Sequence, residues 1–282
     1  MVLLRAGWAS FLRLGLEKVV VGLIFPAIDP IAVQVGPVAI RWYALAYVVG
    51  LIGGWGYVRY LVQTHRIRLN TEMVDDLLVW IMVGVVVGGR FGYVLFYQFS
   101  YFVENPLAIF AVWRGGMSFH GGLIGVVSAL GLFAYRRRVN ILSVADAVAP
   151  AFPFGLMLGR ISNFINGELY GRAAEVPWAI VFPHGGDVAR HPSQLYEAAL
   201  EGVLLLGIML FLVHAGSAHR RPGLLSGTFL LGYAVARIIS ETFREPDYHI
   251  GFIWSHFTMG QLLSMPLALM GIWLIVRSKR PG

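Results

Sequence analysis

Fourteen residues, Gly159 to Arg172, read GRISNFINGELYGR and follow the apolar run VADAVAPAFPFGLML. If the segment is helical at its start, Arg160, Asn163, Phe164, Gly167, Glu168 and Gly171 fall on one face. A guanidinium can grip a phosphate through two parallel N–H groups. The carboxamides of Asn163 and Asn166 can donate to ester or hydroxyl oxygens. Glycines let a ligand approach the backbone. The plain alternative is a polar loop that caps a helix, but a loop has little need for this density of Arg, Asn and Gly.

Two further groups carry chemistry. WRGGMSFHGGLIG (113–125) sets His120 between two glycine pairs, where the ring is sterically open. A neutral imidazole can take a proton from a thiol or hydroxyl near pH 7, and a purely structural histidine is the even alternative. ARIISETFREPD (236–247) places Arg237, Glu241 and Arg244 at i, i+4 and i+7 of a helix face. Glu241 is expected to orient one arginine while the other faces a ligand; the alternative is a triplet that only neutralises itself. RWYALAY (41–47) puts Trp42 and Tyr43 where an interfacial aromatic belt would lie. GGRFGYVLFY (88–97) sets Arg90 among glycines, as a ligand residue or a carboxylate's partner. RHPSQLYE (190–197) reads as a helix start with Ser193 as the N-cap.

The elements that must position these residues are set by composition. Of 282 residues, 57% are hydrophobic and 13% charged, half the roughly 25% charge of a soluble domain. Mean hydropathy is +0.70. The chain is therefore expected to be an all-α integral membrane protein. Seven apolar stretches approach the ~20 residues a spanning helix needs: roughly 41–62, 75–97, 118–135, 143–164, 194–214, 224–243 and 255–276. The segment 103–113 is too short and is expected to be a small interfacial helix. The first ~30 residues, with Arg5, Arg13 and Lys18 among apolar residues, are expected to form an N-terminal extension that lies on the membrane surface as an amphipathic helix, ahead of a single membrane domain over 31–280.

Basic clusters follow the first, third, fifth and seventh spans: THRIR, RRR, HRR and RSKR. The positive-inside rule makes those ends cytoplasmic, with the N-terminus outside and the C-terminus inside. The net charge of +7 is then loop charge; no nucleic-acid motif accompanies it. Arg41, Arg90, Arg114, Arg160, Arg172, Arg190, Arg237 and Arg244 fall at or near the outer side, against that rule. Arginine inside a membrane faces a polar cavity or a partner, so the residues alone predict an anion site in the outer leaflet.

With no cysteine in the chain, a disulfide, thiolate metal site or cysteine nucleophile is excluded. HExxH, GxxxxGK[ST] and GxSxG are absent, and the histidines form no clear metal set. No metal and no cofactor are expected. An anion transporter would use the same arginines. However, no internal repeat is visible and the polar motifs gather on one side, which favours an enzyme over a transporter or a scaffold.

GRISNFINGELYGR, with GGMSFHGGLIG, RHPSQLYE, GGRFGYVLFY, FREPD and TMGQLLS in order over about 28–277, resembles the bacterial prolipoprotein diacylglyceryl transferase family. The resemblance implies transfer of the diacylglyceryl group of phosphatidylglycerol to the lipobox cysteine thiol of a prolipoprotein signal peptide. A thioether forms and glycerol phosphate leaves, in the bacterial inner membrane. It also implies site residues. Arg160 and Asn163 would bind the headgroup, and Gly171 would give it room. Arg244 would stabilise phosphate or thiolate, and His120 is a candidate base. Tyr43, Glu168 and Gly115 would contact or orient substrate.

Overall fold

The computed structural model describes residues 22–67, 69–215, 218–246, 251–253 and 257–278. Among the described residues seven helical stretches are long and apolar enough to cross a membrane: Trp42–Gln63, Thr71–Phe96, Phe119–Arg137, Ile141–Ile165, Ser193–Ala215, Leu224–Glu241 and Met259–Ser278. All seven expected spans are present, with ends shifted by a few residues. They are α1 (Trp42–Gln63), α2 (Thr71–Phe96), α4 (Phe119–Arg137), α5 with α6 (Ile141–Val148, Phe152–Ile165), α7 with α8 (Ser193–Glu197, Leu205–Ala215), α9 (Leu224–Glu241) and α10 (Met259–Ser278). Between α2 and α4 lies the short α3 (Phe99–Glu104).

The starts of these helices follow from local chemistry. Asn70 accepts from the Met73 N–H at 2.7 Å at the head of α2. Ser118 accepts from Gly121 at 3.2 Å at the head of α4. Thr258 and Gln261 exchange backbone and side-chain bonds at 3.1 and 3.2 Å, a reciprocal capping box at the start of α10. The α9 start has Gly223 and no side-chain cap of its own. Asp146 of α5 supplies one, accepting from Gly223 N (2.7 Å), Ser226 N (2.8 Å) and Ser226 Oγ (2.6 Å). Pro150 and Pro153 sit at the 3₁₀ turn Ala149–Ala151 that joins α5 to α6.

Packing is closest where side chains are missing. A Cβ on Gly84 would lie 2.7 Å from the Gly125 carbonyl, one on Gly88 2.7 Å from Gly125 Cα, and one on Gly92 2.7 Å from Gly121 Cα. The i, i+4 glycines of α2 and α4 thus form one seam of backbone contact, as small residues do between membrane helices. Gly227 and Gly271 do the same for α9 and α10, with a Gly227 Cβ 2.9 Å from the Gly271 carbonyl.

Some local expectations change. The segment 103–113 is not one helix: α3 ends at Glu104, and 3₁₀ turns follow at Pro106–Phe110 and Val112–Arg114. Pro106 lacks the N–H that would continue α3. Residues 1–21 of the expected surface segment lie outside the described residues. After them Leu23–Ile24 form β1, which pairs in parallel with β4 (Ile180–Val181); β4 pairs antiparallel with β5 (Ala189–Arg190). A hairpin of β2 (Ile31–Val35) and β3 (Val38–Arg41) leads into α1. These small sheets were not legible in the sequence.

Successive crossings bring the ends at Trp42, Phe96, Phe119, Ile165, Ser193, Glu241 and Met259 to one side of the bundle. The other side carries Arg66, Arg136, Arg137, Arg220 and Arg277.

The glycine seam gives a stability prediction. Gly88→Leu overpacks α2 against α4 and is expected to cost about 1–3 kcal/mol. Gly207→Ala, whose Cβ meets nothing within 4 Å, should hold or raise the thermal midpoint in detergent, since alanine favours helix. Matching midpoints for the two variants would refute the seam.

Candidate active site

Three arginines and three glutamates meet near the strand-bearing end. Arg160 of α6 faces Glu201 Oε2 through Nε and Nη2 at 3.2 and 3.1 Å, and Glu197 Oε2 through Nη1 at 3.0 Å. Arg237 of α9 reaches Glu197 Oε1 at 2.7 Å, Glu241 Oε1 at 2.5 Å and Glu201 Oε1 at 3.6 Å. Arg244 lies 3.2 Å from Glu197 Oε1 and 3.9 Å from Glu241 Oε1. Glu197 and Glu201 are fully buried. The arginine side chains keep 10–15% of their surface, so the arginines, unlike Glu197 and Glu201, reach the surface of the cluster.

Local structure explains the arrangement. Glu197 ends α7 and Glu201 lies in the π-helical turn Ala198–Leu204, a kind of insertion often found at functional sites. Gly202 in that turn lets it press on α6, where an added Cβ would lie 2.6 Å from Met157 Cβ. Glu241 closes α9, and Gly260 in the first turn of α10 leaves room for it: a Cβ there would lie 2.6 Å from the carboxylate carbon. The N-terminal end of α10 carries partial positive charge, which favours that carboxylate.

The helix face expected over 159–172 ends at Ile165. Asn166 is the C-cap, and Gly167 (φ 65°) and Leu169 (φ 57°) reverse the chain. The reversal brings Glu168 back: Asn163 and Asn166 donate to Glu168 Oε1 at 2.9 and 3.1 Å. The turn is held from the fifth span. Ser193 Oγ donates to the Leu169 carbonyl and Gln194 Nε2 to that of Glu168, at 3.1 and 2.7 Å. Ser193 is therefore not the N-cap; Pro192 is, and the hydroxyl is used on the neighbouring turn. Tyr43, its ring tilted at 55° to that of Tyr47 with centroids 5.2 Å apart, sits within electrostatic reach of Glu168 and Arg160.

Arg244 does not continue the helix face of Arg237 and Glu241, because α9 stops at Glu241. It is placed instead by a bridge to Gly171. The Arg172 N–H donates to the Phe243 carbonyl and the Gly171 N–H to that of His191, both at 2.9 Å. A Cβ on Gly171 would lie 2.5 Å from the Phe243 carbonyl and 2.7 Å from His191 Cβ. Gly171 thus leaves room for the close approach of two backbone segments.

Not every outer arginine serves an anion. Among the described residues Arg90 pairs with no carboxylate. It donates to the carbonyls of Ala108, Ile109, Ala111, Gly115 and Gly116 at 2.5–3.3 Å. Arg172 donates to the carbonyls of Arg244 and Glu241. Arg190 donates to those of Gly185 and Gly171 and pairs with Glu245. His120 is exposed at the first turn of α4, its ring against Phe119. Gly115 (φ 80°) lies in the loop before α4. Neither touches the Arg–Glu cluster. Among the described residues no group of three or more His, Asp or Glu is placed to hold a metal ion.

Sequence reasoning missed Glu197 and Glu201. The signal was available: two carboxylates, one turn apart, in a span with hydropathy 2.1. An ionisable residue inside a span marks a site by default.

Seven apolar helices that gather a compensated guanidinium–carboxylate cluster at one end define a multi-pass membrane protein with a buried polar centre. A family model described as prolipoprotein diacylglyceryl transferase matches residues 30–277, and the chain belongs to that family. It is 54% identical over 260 residues to the phosphatidylglycerol–prolipoprotein diacylglyceryl transferase of Rhodospirillum rubrum, covering 92% of this chain and 95% of that protein. Proteins of the same name from Paramagnetospirillum magneticum and Rhodopseudomonas palustris are 54% and 51% identical, each over 92% of this chain and covering 97% and 92% of their own length.

Two predictions arise from this geometry. Glu197→Ala leaves guanidiniums without their buried partner and should cost about 3–5 kcal/mol, read as a lower thermal midpoint; the exposed Glu175→Ala should not move it. His191, outside the spans, is held below its ordinary value by burial. The unfolded chain therefore binds its proton more readily, and stability falls as pH drops below about 6.5. His191→Asn should flatten that part of the pH–stability curve, and an unchanged slope would remove the assignment.

Proposed function

We propose that the chain transfers the diacylglyceryl group of phosphatidylglycerol to the cysteine thiol of a prolipoprotein signal peptide. The observation that carries this reading is the Arg160–Arg237–Arg244 group held by Glu197, Glu201 and Glu241. The named relatives supply the two substrates. The basic residues at the opposite end of the bundle support a cytoplasmic assignment for that end, and hence a site toward the outer leaflet of the bacterial inner membrane.

The reaction is a substitution at a saturated carbon. The sulfur–carbon bond forms as the carbon–oxygen bond to phosphate breaks. The oxygen and its electron pair leave with glycerol phosphate, and the thiol proton passes to a base. An ordinary thiol has a pKa of about 8.5, so it must be deprotonated to attack. The leaving phosphate gains charge in the transition state, where guanidinium N–H groups stabilise it most. Arg160 is the principal phosphate ligand in this reading. Its contacts to Glu197 and Glu201 fix the plane of the guanidinium, so little reorganisation is needed when charge develops.

Arg244 is a second phosphate or thiolate ligand, positioned by Gly171. Asn163 and Glu168 form a hydrogen-bonded pair next to Arg160 that can address the glycerol hydroxyls, with Tyr43 at its edge. Gly115 lies in the loop before α4 and His120 in the first turn of that helix, and His120 is the proposed proton acceptor.

The test is transfer with purified protein, phosphatidylglycerol and a lipobox peptide, read by mass spectrometry. Wild type should add a diacylglyceryl mass to the cysteine. Arg160→Ala and Arg244→Ala should lower the rate about 10²–10³-fold, as for loss of one charge-stabilising donor. Gly171→Ala should act like Arg244→Ala by displacing that side chain. His120→Gln should lose activity. A folded wild type that adds no mass would overturn the reading.

A further inference from the structure

A second polar cavity lies away from the Arg–Glu cluster, between the end of α2 and the segment 98–116. It holds about 170 Å³ and is lined by Arg90, Tyr93, Gln98, Tyr101, Arg114 and Gly116, among others. Its frame is rigid. Arg90 is buried and gathers five carbonyls of the segment, and its guanidinium lies 5.1 Å from the Phe102 ring centre. Gly116 (φ 80°) admits the Tyr93 ring, which an added Cβ would meet at 2.5 Å. Tyr93 in turn stacks on Tyr97.

The lining has an excess of donors. The carbonyls that would repel an anion are already occupied by Arg90. Arg114 has no ion pair or side-chain hydrogen bond with a described residue, nor do the side chains of Tyr93, Gln98 and Tyr101 hydrogen-bond to any. A cation, two phenols and a carboxamide match a group rich in acceptor oxygens and negative charge. The surroundings indicate where such a group comes from. Leu107 and Trp113 are 82% and 80% exposed on the same segment, with Phe110 beside them. Exposed large apolar side chains next to the ends of α2 and α4 belong in the acyl boundary of a bilayer. The cavity therefore opens at headgroup depth.

We propose that this cavity receives the phosphate headgroup of an anionic phospholipid at the membrane interface, and so holds substrate lipid beside the enzyme before it reaches the Arg–Glu centre. The loading role rests on the transferase reading; the binding does not. Arg114 is the residue that carries it, and Tyr93, Gln98 and Tyr101 complete the donor set.

The experiment uses the purified full chain in nanodiscs of phosphatidylcholine with increasing phosphatidylglycerol. Retained lipid is counted by native mass spectrometry, and transfer rate is measured on the same samples. Arg114→Gln should retain one phosphatidylglycerol fewer and raise the mole fraction for half-maximal rate about fivefold, the effect of one arginine near an anionic surface. The saturating rate should fall less than twofold. Arg114→Lys should restore most of the retention, and excess inorganic phosphate should not displace the lipid.

Unchanged retention and half-maximal fraction in Arg114→Gln would overturn the proposal. So would displacement by inorganic phosphate, which would mean that the cavity reads a soluble anion. A fall in thermal midpoint for Arg114→Gln, with retention intact in a double Tyr93→Phe, Tyr101→Phe variant, would make Arg114 a structural support and also overturn it. If wild type retains the lipid in an Arg114-dependent way yet transfers nothing, the transferase reading fails while the binding site stands.

Discussion

The mutual neutralisation of Arg160, Arg237 and Arg244 by Glu197, Glu201 and Glu241 is the constraint on which the rest of the structure depends. An unpaired charge inside a bilayer-spanning bundle is costly, and removing one partner of a buried pair costs more than the pair contributes. The six side chains therefore have to arrive together, from α6, the fifth span, α9 and the segment after α9. Their demand for close approach sets where these elements stop and bend. The π turn after Glu197, the end of α9 at Glu241 and the glycine at the head of α10 are all local departures from regular helix that serve this meeting.

Around that centre, glycine fixes distance and arginine fixes loops. Backbone contact through Gly84, Gly88 and Gly92 locks α2 onto α4, so the loop between them has a firm base. Arg90 then organises that loop by collecting its carbonyls. In water such carbonyls would be satisfied by solvent. At the edge of a bilayer they need an internal donor, and a guanidinium with its fan of N–H groups can supply several at once. Arg172 and Arg190 do similar work on the other side. Arginine outside the basic clusters thus has two uses here, holding carboxylates in the centre and holding backbone at the rim.

Much of this was legible in the sequence. Seven spans could be read because backbone polar groups in a bilayer must be satisfied within the helix, which forces long apolar runs. Arg160, Asn163 and Glu168 were legible from density alone, since so many polar groups beside an apolar run need a reason. What was not legible was pairing. The expectation of eight arginines around one anion site paired Arg237 or Arg244 with Glu241 and left the partner of Arg90 open. The other partners lay elsewhere in the chain, or were carbonyls, which have no letter in a sequence. The partners of Arg160 are 37 and 41 residues away along the chain. The face drawn through Gly167, Glu168 and Gly171 failed because the left-handed turn at Gly167 and Leu169 replaces helix. The strands β1, β4 and β5 are two residues each, too short for any period to register.

The cap that Asp146 provides for α9 bears on how the chain is built. The head of α9 has glycine where most helices carry their own acceptor, so its first N–H groups depend on a carboxylate made 77 residues earlier. A chain emerges from the ribosome N-terminus first. The acceptor is therefore made before the glycine whose N–H it receives, and the start of the sixth crossing is fixed by a side chain of the fourth.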